Sequence, residues 1–285
     1  METSIGSLSR LQDFLNNTPT EVRKETIDLP EKWPQTGKVE FRNVVARYKS
    51  DNRDQQPPVL QNVSLQILPG KKIGVVGRTG SGKSSLLYSL LGFLEYEGTI
   101  EIDGVDISTA QPDQVRSRII TISQDVVELD GTIRDNLLPF EKTWPDKMNL
   151  IRDEKEKAEL ERKDQIVRET LVRLGIWEQL QPKGGLEASL EDAGYSQGER
   201  QLFCIARAVV RRRLTDSRLV LVDEATASVD TWRDQIVQQM MVSYFRGCTI
   251  IVVAHREETI ADSNRTVHMA SGHIEKVEDW DNYQD

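Results

Sequence analysis

The residues best equipped for chemistry stand together at positions 77–84: Gly77, Arg78, Thr79, Gly80, Ser81, Gly82, Lys83 and Ser84. The spacing is a glycine, four residues, then Gly-Lys-Ser. It follows the β-branched run KKIGVVG directly and precedes SSLLYSLLGF directly. A strand that stops at Gly77 and a helix that starts near Lys83 are the context that makes this spacing a phosphate loop. Glycines let the backbone wrap closely around phosphate oxygens where a Cβ would clash. The loop N–H groups and the helix N-terminus then face the anion. Lys83 brings a positive point charge to the β- and γ-phosphates. The Ser84 hydroxyl is a candidate Mg²⁺ ligand, and Ser85 beside it completes the set of phosphate-loop candidates.

A second set lies at 219–224, where LVLV is followed by Asp223 and Glu224. Alone, this would read as a buried strand ending in solvated carboxylates. Beside a phosphate loop, Asp223 is placed to hold Mg²⁺ through water, and Glu224 to polarise an attacking water.

The elements that must position these groups are legible in outline. VEFRNVVARY (39–48) and VLQNVSLQI (59–67) read as strands joined by a hairpin loop. Further strands are expected at 98–102 and 119–123. LVLVDE (219–224) and TIIVVAH (249–255) lack alternation, which fits strands buried on both faces of a parallel sheet. Residues 150–181 are helical and highly charged, with both signs at i,i+4 spacing, as on a solvated helix face. SQGERQLFCIARAVVRR and a segment near DTWRDQIVQQMM read as helices. Ile5, Leu8, Leu11 and Leu15 recur at helical spacing, and a stretch with Pro19, Pro30 and Pro34 follows as an extended linker. The fold class is therefore α/β. A phosphate-loop core sheet is joined by a small antiparallel β layer (39–67 and 98–102) and an inserted helical subdomain over about 125–205.

The 285 residues are 38% hydrophobic and 29% charged, enough to bury a core and too mixed for a disordered chain. With 37 Lys+Arg against 46 Asp+Glu, the net charge is −9, a poor balance for nonspecific binding to nucleic acid or anionic lipid. The run Arg211-Arg212-Arg213 fits the C-terminal end of a helix, where cations are favoured. Two cysteines, Cys204 and Cys248, in apolar surroundings exclude a disulfide framework and a cysteine zinc site. No run approaches a membrane-spanning length, and the N-terminal residues lack the features of a secretory signal.

Between the phosphate loop and the Asp-Glu strand stands Tyr195-Ser196-Gln197-Gly198-Glu199-Arg200-Gln201, followed by LFCIARAVVR. This resembles the signature motif of ATP-binding cassette (ABC) proteins and the helix after it. Over about 39–278 the other motifs of that family follow in order. Gln124, ending IITISQ, resembles the Q-loop glutamine, which implies contact with Mg²⁺ or the attacking water and with a membrane domain. Asp230 in ATASVD resembles the D-loop aspartate. His255 in VVAHR resembles the switch histidine, within reach of a γ-phosphate. Tyr48 resembles the aromatic that stacks on adenine. The resemblance implies ATP and Mg²⁺ as ligands, with Glu224, His255 and Gln124 as catalytic residues and Ser84, Gln124 and Asp223 around the metal.

The runs VGRTGSGKSSLL, SQD…GTIRDNL and DEATASVD narrow the resemblance to the second nucleotide-binding domain of subfamily C, multidrug-resistance-associated exporters. That implies residues 1–38 as a segment leading in from membrane domains, 39–278 as the nucleotide-binding domain and 279–285 as a tail. It implies a second nucleotide-binding domain and transmembrane domains as partners, a location at the cytoplasmic face of a membrane, and no nucleic acid. Chromosome-type relatives would need a long coiled coil before the signature, and translation-type relatives two cassettes; neither is present. A regulatory domain that binds ATP without turnover is the alternative.

The signature departs from the family pattern Leu-Ser-Gly-Gly-Gln. Ser196 and Gly198 are kept, Gln197 adds a side chain, and Glu199 adds an acid. In the family this motif closes over ATP held by the other domain, where an acid is unfavourable. Lys83→Ala is expected to weaken Mg-ATP binding in a direct titration, and unchanged binding would refute the phosphate-loop reading.

Overall fold

The computed structural model describes residues 21, 26–49, 57–123, 127–139, 154–190, 195–223, 239–254 and 260–279, with Gln197 by its backbone alone. In chain order the strands are β1 (Val39–Tyr48), β2 (Leu60–Ile67), β3 (Lys72–Gly77), β4 (Leu94–Ile102), β5 (Val105–Asp106), β6 (Ile120–Ile122), β7 (Leu219–Asp223), β8 (Thr249–Val253), β9 (Arg265–Ala270) and β10 (His273–Asp279). The helices are α1 (Lys83–Leu90), α2 (Pro112–Arg116), α3 (Ile133–Leu137), α4 (Glu154–Arg173), α5 (Trp177–Leu180) and α6 (Gln197–Thr215). The helix expected over 5–15 lies outside the described residues. Of the one expected near 230–241, positions 239–241 are described, in a helical stretch that runs to 245.

The core is a six-stranded sheet in the order β10-β9-β3-β8-β7-β6. From β9 to β6 every pair is parallel, and β10 joins antiparallel at the edge. The unalternating run in β7 is explained by burial on both faces. Leu219 and Leu221 enter one hydrophobic cluster, Val220 and Val222 the other. The first cluster joins β7 to α1 (Leu86, Leu87, Leu90) and to the antiparallel layer, a four-stranded sheet in the order β2-β1-β4-β5. The second joins it to the helical half, through Leu202, Phe203 and Val209 of α6 and Val167 and Leu171 of α4.

Strand β1 does not alternate cleanly in sequence because it carries an irregularity. Val39, Phe41, Val44 and Ala46 are all buried, an odd phase followed by an even one. The pairing register shifts between Arg42 and Val45, and Asn43 sits there at φ 50°. An extra residue of this kind flips the strand's faces, and asparagine tolerates the left-handed geometry.

In the helical half, α3 starts at a capping box in which Thr132 and Asp135 satisfy each other's backbone donors. Arg134 reaches Asp164 of α4 at 2.7 Å and also pairs with Glu187. The solvated character expected of 150–181 holds for α4, where only Ile166, Val167, Thr170 and Leu171 are buried. Cys204 and Cys248 are buried, and burial pushes both thiols up, as expected of small hydrophobes.

Residues 26–38 form no helix and turn at Glu31-Lys32, but they are docked. Leu29 and Trp33 are buried, and the Trp33 indole N–H donates to the Ile102 carbonyl at 2.9 Å. The Arg218 N–H donates to the Pro34 carbonyl at 3.0 Å, tying this segment to the core sheet. Glu21 pairs with Arg116 (2.6 Å) and Lys49 (2.9 Å), which hold its carboxyl down to about 2. Removing a buried indole costs roughly 3–5 kcal/mol. Trp33→Ala should show a loss of that size in denaturant unfolding; a loss too small to resolve would place the segment outside the folding unit.

Candidate nucleotide-binding site

Strand β3 ends at Gly77, and α1 begins at Lys83 after Gly82 caps it in the left-handed region, φ 99°. Between them Arg78, Thr79 and Gly80 are exposed, while Ser81 and Lys83 are buried. The Lys83 ammonium donates to the carbonyls of Gly77 (2.9 Å) and Arg78 (3.1 Å), so its charge lies across the mouth of the loop. The Ser81 hydroxyl is enclosed without a hydrogen-bond partner among the described residues. A buried ammonium and an orphaned hydroxyl inside a glycine loop fit a phosphate-bearing ligand.

The loop is braced from behind by the turn between β9 and β10. Gly272 N–H donates to the Ser81 carbonyl at 3.0 Å, and the Gly272 carbonyl accepts from Gln61 N–H at 2.8 Å. The Gln61 side chain donates to the Ser271 carbonyl at 3.0 Å. Backbones approach so closely that side chains are excluded. A Cβ on Gly77 would collide with the Met269 carbonyl and lie 2.6 Å from Ser81 Oγ. One on Gly272, at φ 82°, would lie 2.7 Å from the Val59 carbonyl. The sequence reading missed β9, β10 and this brace. The Ser271-Gly272 pair between RTVHMA and HIEKVED was the available turn signal.

Two of the candidate residues meet across the sheet edge. Ser84 Oγ lies 3.5 Å from Asp223 Oδ1, at the outer limit of a hydrogen bond. A hydroxyl and a carboxylate facing each other across such a gap are hard oxygen donors, the type that suits Mg²⁺. Tyr48, at the end of β1, keeps 46% of its surface exposed, and its hydroxyl shares a 3.2 Å hydrogen bond with Ser85 Oγ. The ring is thus anchored at the start of α1 with surface left for a flat ligand.

Strands β6, β7 and β8 are parallel neighbours, with Ile122 opposite Val222 and Asp223 opposite Val253. Their C-terminal ends therefore share one edge with the end of β3. Gln124, Glu224 and His255 follow those ends in sequence; they and Asp230 lie outside the described residues.

The signature residues begin α6 in the helical half. Tyr195 is buried against the Phe203 ring, centroids 5.0 Å apart, so this departure from leucine still fills a core position. Ser196 is the N-cap of α6, and Glu199 closes a capping box with it. The adjoining Arg200 pairs with Glu128 at 2.7 Å. Arg212 and Arg213 lie in the last turn of α6, paired with Asp216 and Glu169, as expected of that run.

A family model described as ABC transporter matches residues 60–227. The chain belongs to the ABC transporter family. It is 38% identical over 275 residues to the ABC transporter atnG of Emericella nidulans, across 95% of this chain and 16% of that protein. It is 35% identical over 280 residues to human ATP-binding cassette sub-family C member 8, across 96% of this chain and 16% of that protein. A solved bacterial Atm1-family ABC exporter with ATP bound superposes with a TM-score of 0.74 at 25% identity, covering 97% of this chain and 44% of that one. The chain thus spans about a sixth of the curated relatives' length and resembles a single nucleotide-binding domain. In this cassette, Tyr48→Ala is expected to weaken ATP binding by about 1–3 kcal/mol, by analogy with base stacking on aromatics. Affinity for tripolyphosphate, which has no base, should hold; equal ATP affinity would move the stacking role elsewhere.

Proposed function

We propose that this cassette is the ATP-hydrolysing motor domain of an exporter, corresponding to the second nucleotide-binding domain of a subfamily C transporter. The observation that carries the reading is the meeting of Ser84 with Asp223 beside the glycine loop bridged by Lys83. In this role Lys83 and the loop backbone hold the phosphates, and Ser84, Asp223 and Gln124 hold Mg²⁺. Bound there, the cation would neutralise part of the phosphate charge. Tyr48 holds the adenine. Glu224 orients and deprotonates the attacking water, His255 hydrogen-bonds the γ-phosphate, and Asp230 reaches toward the neighbouring cassette.

Two partners follow. A second nucleotide-binding domain supplies the signature for this phosphate loop, and transmembrane domains hold the motor at the cytoplasmic face of a membrane. No described helix is long and apolar enough to cross a membrane itself. A small groove of about 60 Å³ runs between β6, Leu138, Pro139 and α6, with Arg116 and Arg207 among its lining residues. Arg207 crosses from α6 to the carbonyls of Asn136 (2.7 Å) and Val127 (2.9 Å), tying α6 to α3 and the segment before it within the helical half. Glu21, on the incoming segment, pairs with Arg116 at the groove's edge. That continuity supports the groove as the face pressed by a membrane-domain segment.

Glu224→Gln keeps the side chain's shape but removes its basicity. Turnover should fall by about 10²–10⁴ with ATP affinity near wild type, and normal hydrolysis by the variant would move the general base elsewhere. In a second assay the wild-type chain alone should hydrolyse ATP slowly, and a cassette with an intact Leu-Ser-Gly-Gly-Gln signature should raise the rate. Fast hydrolysis that does not depend on protein concentration would contradict the partner requirement. ATP binding without turnover in every pairing would favour the regulatory alternative.

A further inference from the structure

We infer that Ser85 is a positioning residue for the base and not a phosphate ligand: its hydroxyl holds the Tyr48 ring in place for stacking on adenine. The inference rests on the reading of this loop as a nucleotide site.

The backbone of β1 first decides which side of the sheet Tyr48 is on. Strand residues two apart share a face. Before Asn43 the buried residues of β1 are Val39 and Phe41, and after it Val44 and Ala46. Tyr48 is in step with Val44 and Ala46. The irregularity between Arg42 and Val45 therefore brings it to the buried side, where an unbroken strand would have turned it away. Gly98 of β4 makes room for this. A Cβ there would lie 2.5 Å from the Asn43 carbonyl oxygen and 2.6 Å from that of Arg42. The strand thus sets the side of the sheet but not the ring, which ends β1 half exposed.

The first turn of α1 supplies the rest. Lys83, Ser84 and Ser85 follow one another on a helix, about 100° apart, and each reaches a different target. The Lys83 ammonium donates to the Gly77 and Arg78 carbonyls, Ser84 Oγ faces Asp223, and Ser85 Oγ shares a 3.2 Å hydrogen bond with the Tyr48 hydroxyl. Ser85 is itself buried, at 7% exposure. The helix fixes its hydroxyl, and the hydroxyl in turn restricts the exposed ring. A ring held before the ligand arrives has less freedom to lose on binding. Removing either hydroxyl frees the ring while leaving its face intact. The loss should then fall on ligands that carry a base.

The test titrates ATP and tripolyphosphate into the wild-type chain, Ser85→Ala, Tyr48→Phe and the double variant, with circular dichroism recorded for each. The readout is the ratio of the two affinities. Each single variant should lower the preference for ATP over tripolyphosphate by about 3- to 10-fold, the scale of one net hydrogen bond. The double variant should lose no more than either single one, because both remove the same bond. A general disturbance of the loop would instead weaken both ligands together and leave the ratio unchanged. That result for Ser85→Ala, or additive losses in the double variant, would overturn the inference. Tyr48→Phe leaves α1 untouched, and an unchanged ratio in that variant alone is enough to overturn it. A wild-type chain that binds neither ligand would overturn the nucleotide reading, and the inference with it.

Discussion

The turn at Ser271-Gly272 is the point on which the rest of the site depends. Its backbone touches the phosphate loop at Ser81 and the antiparallel layer at Gln61. Ser81 lies in the loop that follows β3 of the core sheet, and Gln61 lies in β2 of the antiparallel layer. The contact is made by main chain against main chain, with no room for a Cβ at Gly77 or Gly272. A loop built around glycines must hold its shape with few side chains of its own. Rigid backbone packing from behind supplies that shape at small cost, since glycine's lost entropy is roughly 0.5–1 kcal/mol per position.

The rest of the fold can be read as an extension of this brace. Two hydrophobic clusters, one on each face of the core sheet, hold β7 in place so that Asp223 ends opposite Ser84. The antiparallel layer brings the end of β1 to α1, which sets Tyr48 beside Ser85. The helical half carries a different charge logic. Its leading helix is capped by its own acid, while the phosphate loop has a lysine bonded to its own carbonyls.

Much of this was legible in the residues. The Gly77–Ser84 spacing, the LVLV run and the SQGERQ start of α6 each combine a local pattern with a flanking element, and all lie where expected. Three features were not legible, for physical reasons. Strand β10 is a charged edge strand whose residues are almost all exposed, so it lacks the alternation that marks a strand. The phase of β1 is reset at Asn43, which blurs the alternation of VEFRNVVARY. In the docked segment before β1, Leu29 and Trp33 enter the core from a proline-interrupted stretch whose extended form suggested only a linker.

The most direct test is a titration of Gly272→Ala with ATP, alongside its circular dichroism spectrum. Gly272 lies far in sequence from every nucleotide motif, and a methyl group there would press on the Val59 carbonyl. If the brace shapes the phosphate loop, the variant should keep its secondary structure and bind ATP more weakly. A folded variant with wild-type ATP affinity would contradict the account.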